Sequence, residues 1–195
     1  MTGTLQVPTL RRMAKATSGR HVALIRGINV GKAKRVAMAD LRALVEELGY
    51  TDVRTLLNSG NVVFTVPPKS PGDPAARMEE ALASKVGFSA RFTVLSAAEL
   101  ATVAAENPLR EVADDPSRLL VAFVKNPPDL ARLEPLAKRD WGADTLALGT
   151  RAAYLWCGGG ILASKLPEEV GRALRDGVTT RNWATVTKLQ ALVAG

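Results

Sequence analysis

The order in which strand-like and helix-like signals follow one another constrains this chain more than any single residue does. His21 to Arg26 (HVALIR) is a short apolar run that ends in a Gly/Asn-rich loop, the pattern of a buried strand. From Met38 to Leu48, the residues Leu41, Leu44, Val45 and Leu48 recur at helical spacing, and Gly49 closes the segment. Two strands follow, Val53 to Leu57 and Val62 to Val66, joined by Asn58-Ser59-Gly60-Asn61, a hairpin turn signal. The Pro-rich stretch Pro67 to Pro74 breaks the chain before a helix over Ala75 to Val86, and Arg91 to Leu95 reads as a strand again. The order β-α-β-β-α-β predicts the ferredoxin-like split β-α-β arrangement, a four-stranded antiparallel sheet with both helices on one face.

After a connecting helix at Ala97 to Ala105, ended by Asn107-Pro108, the second half repeats the architecture without repeating the text. Arg118 to Val124 is a strand, Pro128 to Ala137 a helix, and Thr145 to Leu148 with Ala153 to Trp156 a strand pair around Gly149-Thr150. Pro167 to Arg175 starts a helix with Pro in the tolerated first turn. A last helix is expected over Arg181 to Val193, with Trp183, Val186, Leu189 and Val193 on one face and Thr179 or Thr180 as its cap. No final strand is evident, so the second unit is expected to be incomplete or modified by this added helix. The expected fold is therefore α+β, two ferredoxin-like subdomains in tandem over residues 21–96 and 97–195, preceded by a mobile basic tail over 1–20. Ile25, Leu56 and Val63 as well as Leu24, Leu57 and Val62 are apolar, so both faces of the first sheet are expected to be at least partly buried, the open face against the other unit.

One cysteine, Cys157, and one histidine, His21, exclude disulfide frameworks, Cys-rich or His-rich metal sites and most Ser-His or Cys-His machinery. No apolar run approaches a membrane span and no secretory signal precedes the first strand, so the expected setting is reducing and cytoplasmic, with Met13 an alternative start to Met1. The net charge of +7 lies wholly before residue 40, where Arg11, Arg12, Lys15, Arg20, Arg26, Lys32, Lys34 and Arg35 stand without a single acid. Such a segment attracts phosphate-rich partners, although a solubilising tail explains most of it.

The split β-α-β topology brings the end of the first strand, Arg26-Gly27-Ile28-Asn29-Val30-Gly31-Lys32, to the same end of the sheet as the Asn58 to Asn61 turn. A helix N-terminus, flexible glycines and nearby cations make that end an anion site in outline. Arg26, Asn29 and Lys32 are expected to contact the ligand, the backbone at Gly27 and Gly31 to approach it, and Ser59 and Asn61 to orient it. Arg181 joins them only if the second subdomain folds back toward that loop. The spacing between the glycines is one residue too short for a P-loop, and Ala33 replaces its metal-holding Ser or Thr. No metal site and no cofactor are expected.

Other chemistry is sparse. Ser164-Lys165 and Cys157 are the least improbable nucleophiles, outweighed by a loop before a helix start and by core packing. The acidic pairs Glu46-Glu47, Glu79-Glu80 and Glu168-Glu169 read as solvated helix faces. RNA-recognition domains share the topology and stack bases on sheet aromatics, but Phe64 shares its side with Val62 and Val66, the side that the helices cover.

Three ordered segments resemble the signature of the bacterial domain of unknown function 1697 family: Leu24-Ile25-Arg26-Gly27-Ile28-Asn29-Val30-Gly31, Arg54-Thr55 through Asn58-Ser59-Gly60-Asn61 to Phe64, and Thr179-Thr180-Arg181-Asn182-Trp183 with Val186 and Lys188-Leu189. The resemblance runs from about His21 to the C-terminus and implies tandem ferredoxin-like subdomains, with no established activity, substrate or cofactor. It departs from the family pattern at Gly31-Lys32-Ala33-Lys34-Arg35, where a second Gly and an Asn are usual, and at Ala37, where Pro is usual. The expected function is binding of a phosphate-bearing or other anionic ligand at the loop end of the first subdomain. The alternatives are weak nucleic-acid binding through Arg11 to Arg35, an enzyme of unknown reaction, and a partner-binding module.

Overall fold

The structure is a computed structural model that describes residues 19–30 and 34–195. The tail expected over 1–20 therefore falls almost wholly outside the described residues, as do Gly31, Lys32 and Ala33. In the first half, β1 (Gly19–Arg26), β2 (Thr51–Leu56), β3 (Asn61–Val66) and β4 (Arg91–Ser96) form an antiparallel sheet in the order β2-β3-β1-β4. Helices α1 (Met38–Glu47) and α2 (Pro74–Val86) are its two crossovers. Asp73 caps α2 by accepting from the Ala76 N–H at 3.0 Å, and Gly87 ends it in a left-handed conformation. This is the split β-α-β unit that the sequence order predicts.

The second half repeats it more completely than expected. Strands β5 (Leu119–Val124), β6 (Asp144–Leu148), β7 (Ala152–Cys157) and β8 (Val178–Asn182) lie in the order β6-β7-β5-β8, the same topology as the first sheet. The first crossover is a 3-10 turn over Pro127–Leu133 with one helical turn, α4 (Glu134–Ala137), in place of the single helix expected over 128–137. The second crossover is α5 (Leu166–Leu174). A final strand is present where none was expected: β8 pairs with β5 from Val178 opposite Val124 to Asn182 opposite Leu120. Val178-Thr179-Thr180 is β-branched and suits a pleated strand. The last helix, α6 (Trp183–Ala194), consequently starts two residues later than expected, and its cap is Asn182 rather than a threonine.

Alternation along β1 sets the layers. Ala23 and Ile25 face α1 and α2 in a core with Val62, Phe64, Met78 and Phe92, so Phe64 is on the helix-covered side. Val22 and Leu24 face the other way, with Val63 and Leu95. The second sheet divides likewise, Ala122, Leu155 and Cys157 facing α5, while Val121, Phe123 and Tyr154 face the first half. Between the two sheets lies one shared apolar layer, completed by Leu100 and Val103 of α3 (Ala97–Ala105) and by Val186 and Leu189 of α6. Each such fully buried side chain contributes about 1.5–3 kcal/mol relative to exposure, so the two subdomains are fused by a core of their own. Among the described residues no helix is long and apolar enough to cross a membrane.

Candidate functional site

Fusing the sheets brings the loop after β1 and the β2–β3 turn against β8 and the first turn of α6. A cleft of about 560 Å³ opens there, lined from the first subdomain by Arg26, Gly27, Ile28, Val30 and Ser59, and from the second by Leu120, Ile161, Thr179, Thr180, Arg181, Asn182 and Thr185. The Asn182 side chain accepts from the Thr185 backbone N–H at 2.9 Å and from its hydroxyl at 2.7 Å, which orders the first turn of α6. That turn carries no acid, and its positive dipole end abuts the cleft wall.

Arg181 is 9% exposed and bridges the subdomains. Its Nε donates to the Asn61 carboxamide oxygen, its Nη2 to the carbonyls of Ile25 and Ser59 at 2.9 Å each, and its Nη1 to the Thr180 carbonyl at 2.8 Å. A guanidinium has five N–H donors, so one on Nη1 is left without an acceptor among the described residues. All of these acceptors are neutral. Burial draws the guanidinium down to about 10, which still leaves it charged at neutral pH, and no carboxylate among the described residues offsets it. The fold has thus buried a full positive charge in a cleft wall with no counter-charge, an arrangement that costs several kcal/mol in desolvation.

The residues singled out from the sequence divide into cleft wall and scaffold. Arg26, Gly27, Ser59 and Arg181 line the cleft, and the second subdomain does fold back so that Arg181 meets the β2–β3 turn. Arg26 is only partly buried; its Nη1 donates to the Val178 carbonyl at 2.6 Å and its Nε lies 3.8 Å from Asp176. Asn29, at φ +57°, spends its amide on the loop, donating to the carbonyls of Val36 and Asn58 and accepting from the Val36 N–H, all at 2.9 Å. Asn61 is fully buried, donating to the Leu56 carbonyl and the Ser59 hydroxyl while holding Arg181. Gly31 and Lys32 lie outside the described residues.

The weaker nucleophile candidates have structural tasks. The Ser164 hydroxyl donates to Asp144 and accepts from the Leu166 N–H, fixing the entry to α5. Cys157 is buried, and burial is the largest cause of its raised thiol pKa, which withholds the reactive thiolate. His21 is 4% exposed and leans on Phe64 at 5.8 Å between ring centres.

The family model described as a protein of unknown function, DUF1697, matches residues 19–154. The chain belongs to the DUF1697 family. Among solved structures, the conserved bacterial protein SP0830 from Streptococcus pneumoniae is similar to this DUF1697 chain with a TM-score of 0.70 and 23% identity, over 91% of this chain and 99% of that one. At that identity the likeness is one of fold. No curated protein matches the sequence.

The DUF1697 match ends inside β7, so the wall of the cleft made by β8 and α6 lies beyond the matched residues. The sequence predicts a cap at Thr179 or Thr180 and a helix from Arg181, where the structure has β8 through Asn182, and nothing in it singles out Leu120, Ile161 or Thr185 for the cleft. The Val-Thr-Thr run after Gly177, followed by Asn182 as a cap, was the available signal for a strand leading into a helix.

Proposed function

We propose that this DUF1697 protein binds a small phosphate-bearing or otherwise anionic molecule in the cleft between its two subdomains. Arg26, Ser59, Thr180 and Arg181 contact it, and the backbone of Gly27 and the first turn of α6 lie within its reach. Gly31 and Lys32, which follow Val30 in the sequence, belong to the proposed site by that place alone, while Asn29 and Asn61 serve it by holding the loop and the guanidinium. The buried, uncompensated charge of Arg181 carries this reading. A tie between subdomains needs donors, not charge, and an anion in the cleft supplies what the protein withholds. The cytoplasm, with its phosphorylated metabolites and reduced thiols, is the compartment in which we place this activity.

The test is a thermal-shift screen of the full chain against nucleotides, sugar phosphates, coenzyme A derivatives and short RNA and DNA. A ligand at about 100 times its dissociation constant adds about 2.7 kcal/mol. For a chain of this length each kcal/mol moves the midpoint by roughly 2–4 °C. Thr180→Val, which keeps the strand's β-branched shape and removes the cleft hydroxyl, is expected to reduce the shift, and Arg181→Met to abolish it. No shift from any anion, or a shift indifferent to both substitutions, overturns the reading. Salt-sensitive nucleic-acid binding without a small-molecule shift moves the function to the basic segment before residue 40.

A further inference from the structure

A second hollow, of about 280 Å³, adjoins the cleft and is lined by Arg26, Gly27, Lys34, Ser89, Arg91 and Asp176 among others. The two share Arg26 and Gly27, so the end of β1 and the residue after it border both. Gly27 sits at φ +68°, and a side chain built on it would meet no described residue beyond its chain neighbours within 4 Å. Among the described residues the space above it is therefore open. Among the described residues three cations line the hollow against one carboxylate. Lys34 has no carboxylate partner among the described residues, its Nζ reaching only the Ser89 carbonyl at 3.4 Å. Arg91 is held at 2.9 Å by Glu79 but its side chain remains 57% exposed. The carboxylate, Asp176, is 3.8 Å from Arg26 and largely in solvent. On the far side, the larger cleft carries apolar walls, with Val30 from one subdomain 73% exposed and Ile161 from the other 37% exposed.

We propose that the ligand carries two separate phosphate groups on a nucleoside-sized body. One phosphate sits beside Arg181 and the first turn of α6, the other among Arg26, Lys34 and Arg91, and the body crosses above Gly27 with its apolar face toward Val30 and Ile161. This rests on the reading of the larger cleft as an anion site. A single phosphate would leave the cations of the second hollow unused, whereas two anionic ends use both and the exposed Val30 and Ile161 gain a surface to cover.

Calorimetric titration of the full chain with adenosine 5′-monophosphate and adenosine 3′,5′-bisphosphate at one ionic strength tests it. The bisphosphate is expected to bind at least tenfold more tightly. Lys34→Ala is expected to bring the bisphosphate toward the monophosphate's affinity, and Asp176→Asn, which removes the opposing carboxylate, to strengthen it severalfold. That gain cannot arise from misfolding. Equal affinities for the two nucleotides, or a difference untouched by Lys34→Ala and Asp176→Asn, overturn the two-phosphate inference and leave the single-anion reading standing. Failure of both nucleotides to bind overturns the inference together with the reading beneath it.

Discussion

The Asn61 carboxamide and the Arg181 guanidinium stand 120 residues apart in the chain and are joined by a buried hydrogen bond. Asn61 opens β3, at the end of the turn that follows β2, and Arg181 sits in β8, so this one contact ties the first subdomain's turn to the second subdomain's edge strand. The orientation of Asn61 is fixed from behind by its bonds to the Leu56 carbonyl and the Ser59 hydroxyl, each 2.9 Å.

Asn61→Ala strands the Nε–H of a buried cation, and hydrogen bonds to charged groups contribute about 1.5–3 kcal/mol each. A loss of that order is expected in urea denaturation, seen as a lower midpoint with an unchanged slope. Arg181→Lys is expected to cost at least as much, because a point-like ammonium cannot reach the carbonyls of Ile25 and Ser59 together with Asn61. A Lys variant as stable as the parent would refute this account of the tie.

Gly60 and Gly27 both have positive φ, at +73° and +68°, yet they are expected to respond differently to alanine. At Gly27 the expected cost is backbone strain, on the order of 1 kcal/mol, since no described residue beyond its chain neighbours lies within 4 Å of the new methyl. At Gly60 the methyl would fall 2.8 Å from Ile28 Cδ1 and 2.9 Å from Ile25 Cβ. It would also displace the Gly60 carbonyl that accepts from Ile25 N–H at 2.9 Å. Overpacking of this kind adds roughly 1–3 kcal/mol. Thermal midpoints should therefore fall much further for Gly60→Ala than for Gly27→Ala, and equal losses would contradict the packing described.

These contrasts also explain how much the sequence could disclose. Apolar runs such as His21 to Arg26, and the Asn58 to Asn61 turn, encode their structure within a few neighbours, and the resulting strand order gives the first sheet whole and three of the four strands of the second. The shared core was legible too, since apolar residues on both faces of a strand require two coverings. Arg181 was legible as a candidate but not as a buried tie, because its burial depends on the distant β2–β3 turn offering it Asn61 and the Ser59 carbonyl, and on β1 offering the Ile25 carbonyl. For the same reason β8 was hidden: its pairing with β5 is a long-range fact, while Asn182 and Trp183 advertise the helix that follows. The division of Asn29 and Asn61 from the cleft wall likewise depends on where their amides find partners, which composition does not show.

Glu79 joins α2 to both neighbours, taking the Phe92 N–H and Lys125 at 3.0 Å each and Arg91 at 2.9 Å. Burial works against its charged form, but the Phe92, Lys125 and Arg91 bonds prevail and hold its carboxyl below the usual value. A carboxylate with a folded pKa below its unfolded one stabilises fully above the unfolded value, and that stabilisation fades as pH falls through the folded one. The expected stability gap between the parent and Glu79→Gln is open at pH 7 and closes as the medium is acidified from about pH 5 downward. A gap that stayed constant down to pH 2 in urea melts would mean that the ion contacts contribute nothing.

Tyr154 applies the same linkage at the alkaline end. Its hydroxyl donates to the Val103 carbonyl at 2.6 Å, across the shared core, at a helix end whose last carbonyls have no partner within the helix. Burial is the main cause that raises the phenol above its ordinary value of 10.0, with Glu106 adding to it. The folded protein therefore keeps a proton that the unfolded chain releases, so the parent's stability should hold up to about pH 10 and decline above it. Tyr154→Phe should lose about 1–3 kcal/mol near neutrality, because the Val103 carbonyl is left buried and unpaired. It should also show a shallower alkaline decline than the parent, since the group that drives part of that slope is gone. Phenolate absorbance gives the independent check: burial raises both Tyr154 and the only other tyrosine, Tyr50, so the alkaline rise should be delayed in the parent, and Tyr154→Phe should remove one of the two phenols from that delayed step.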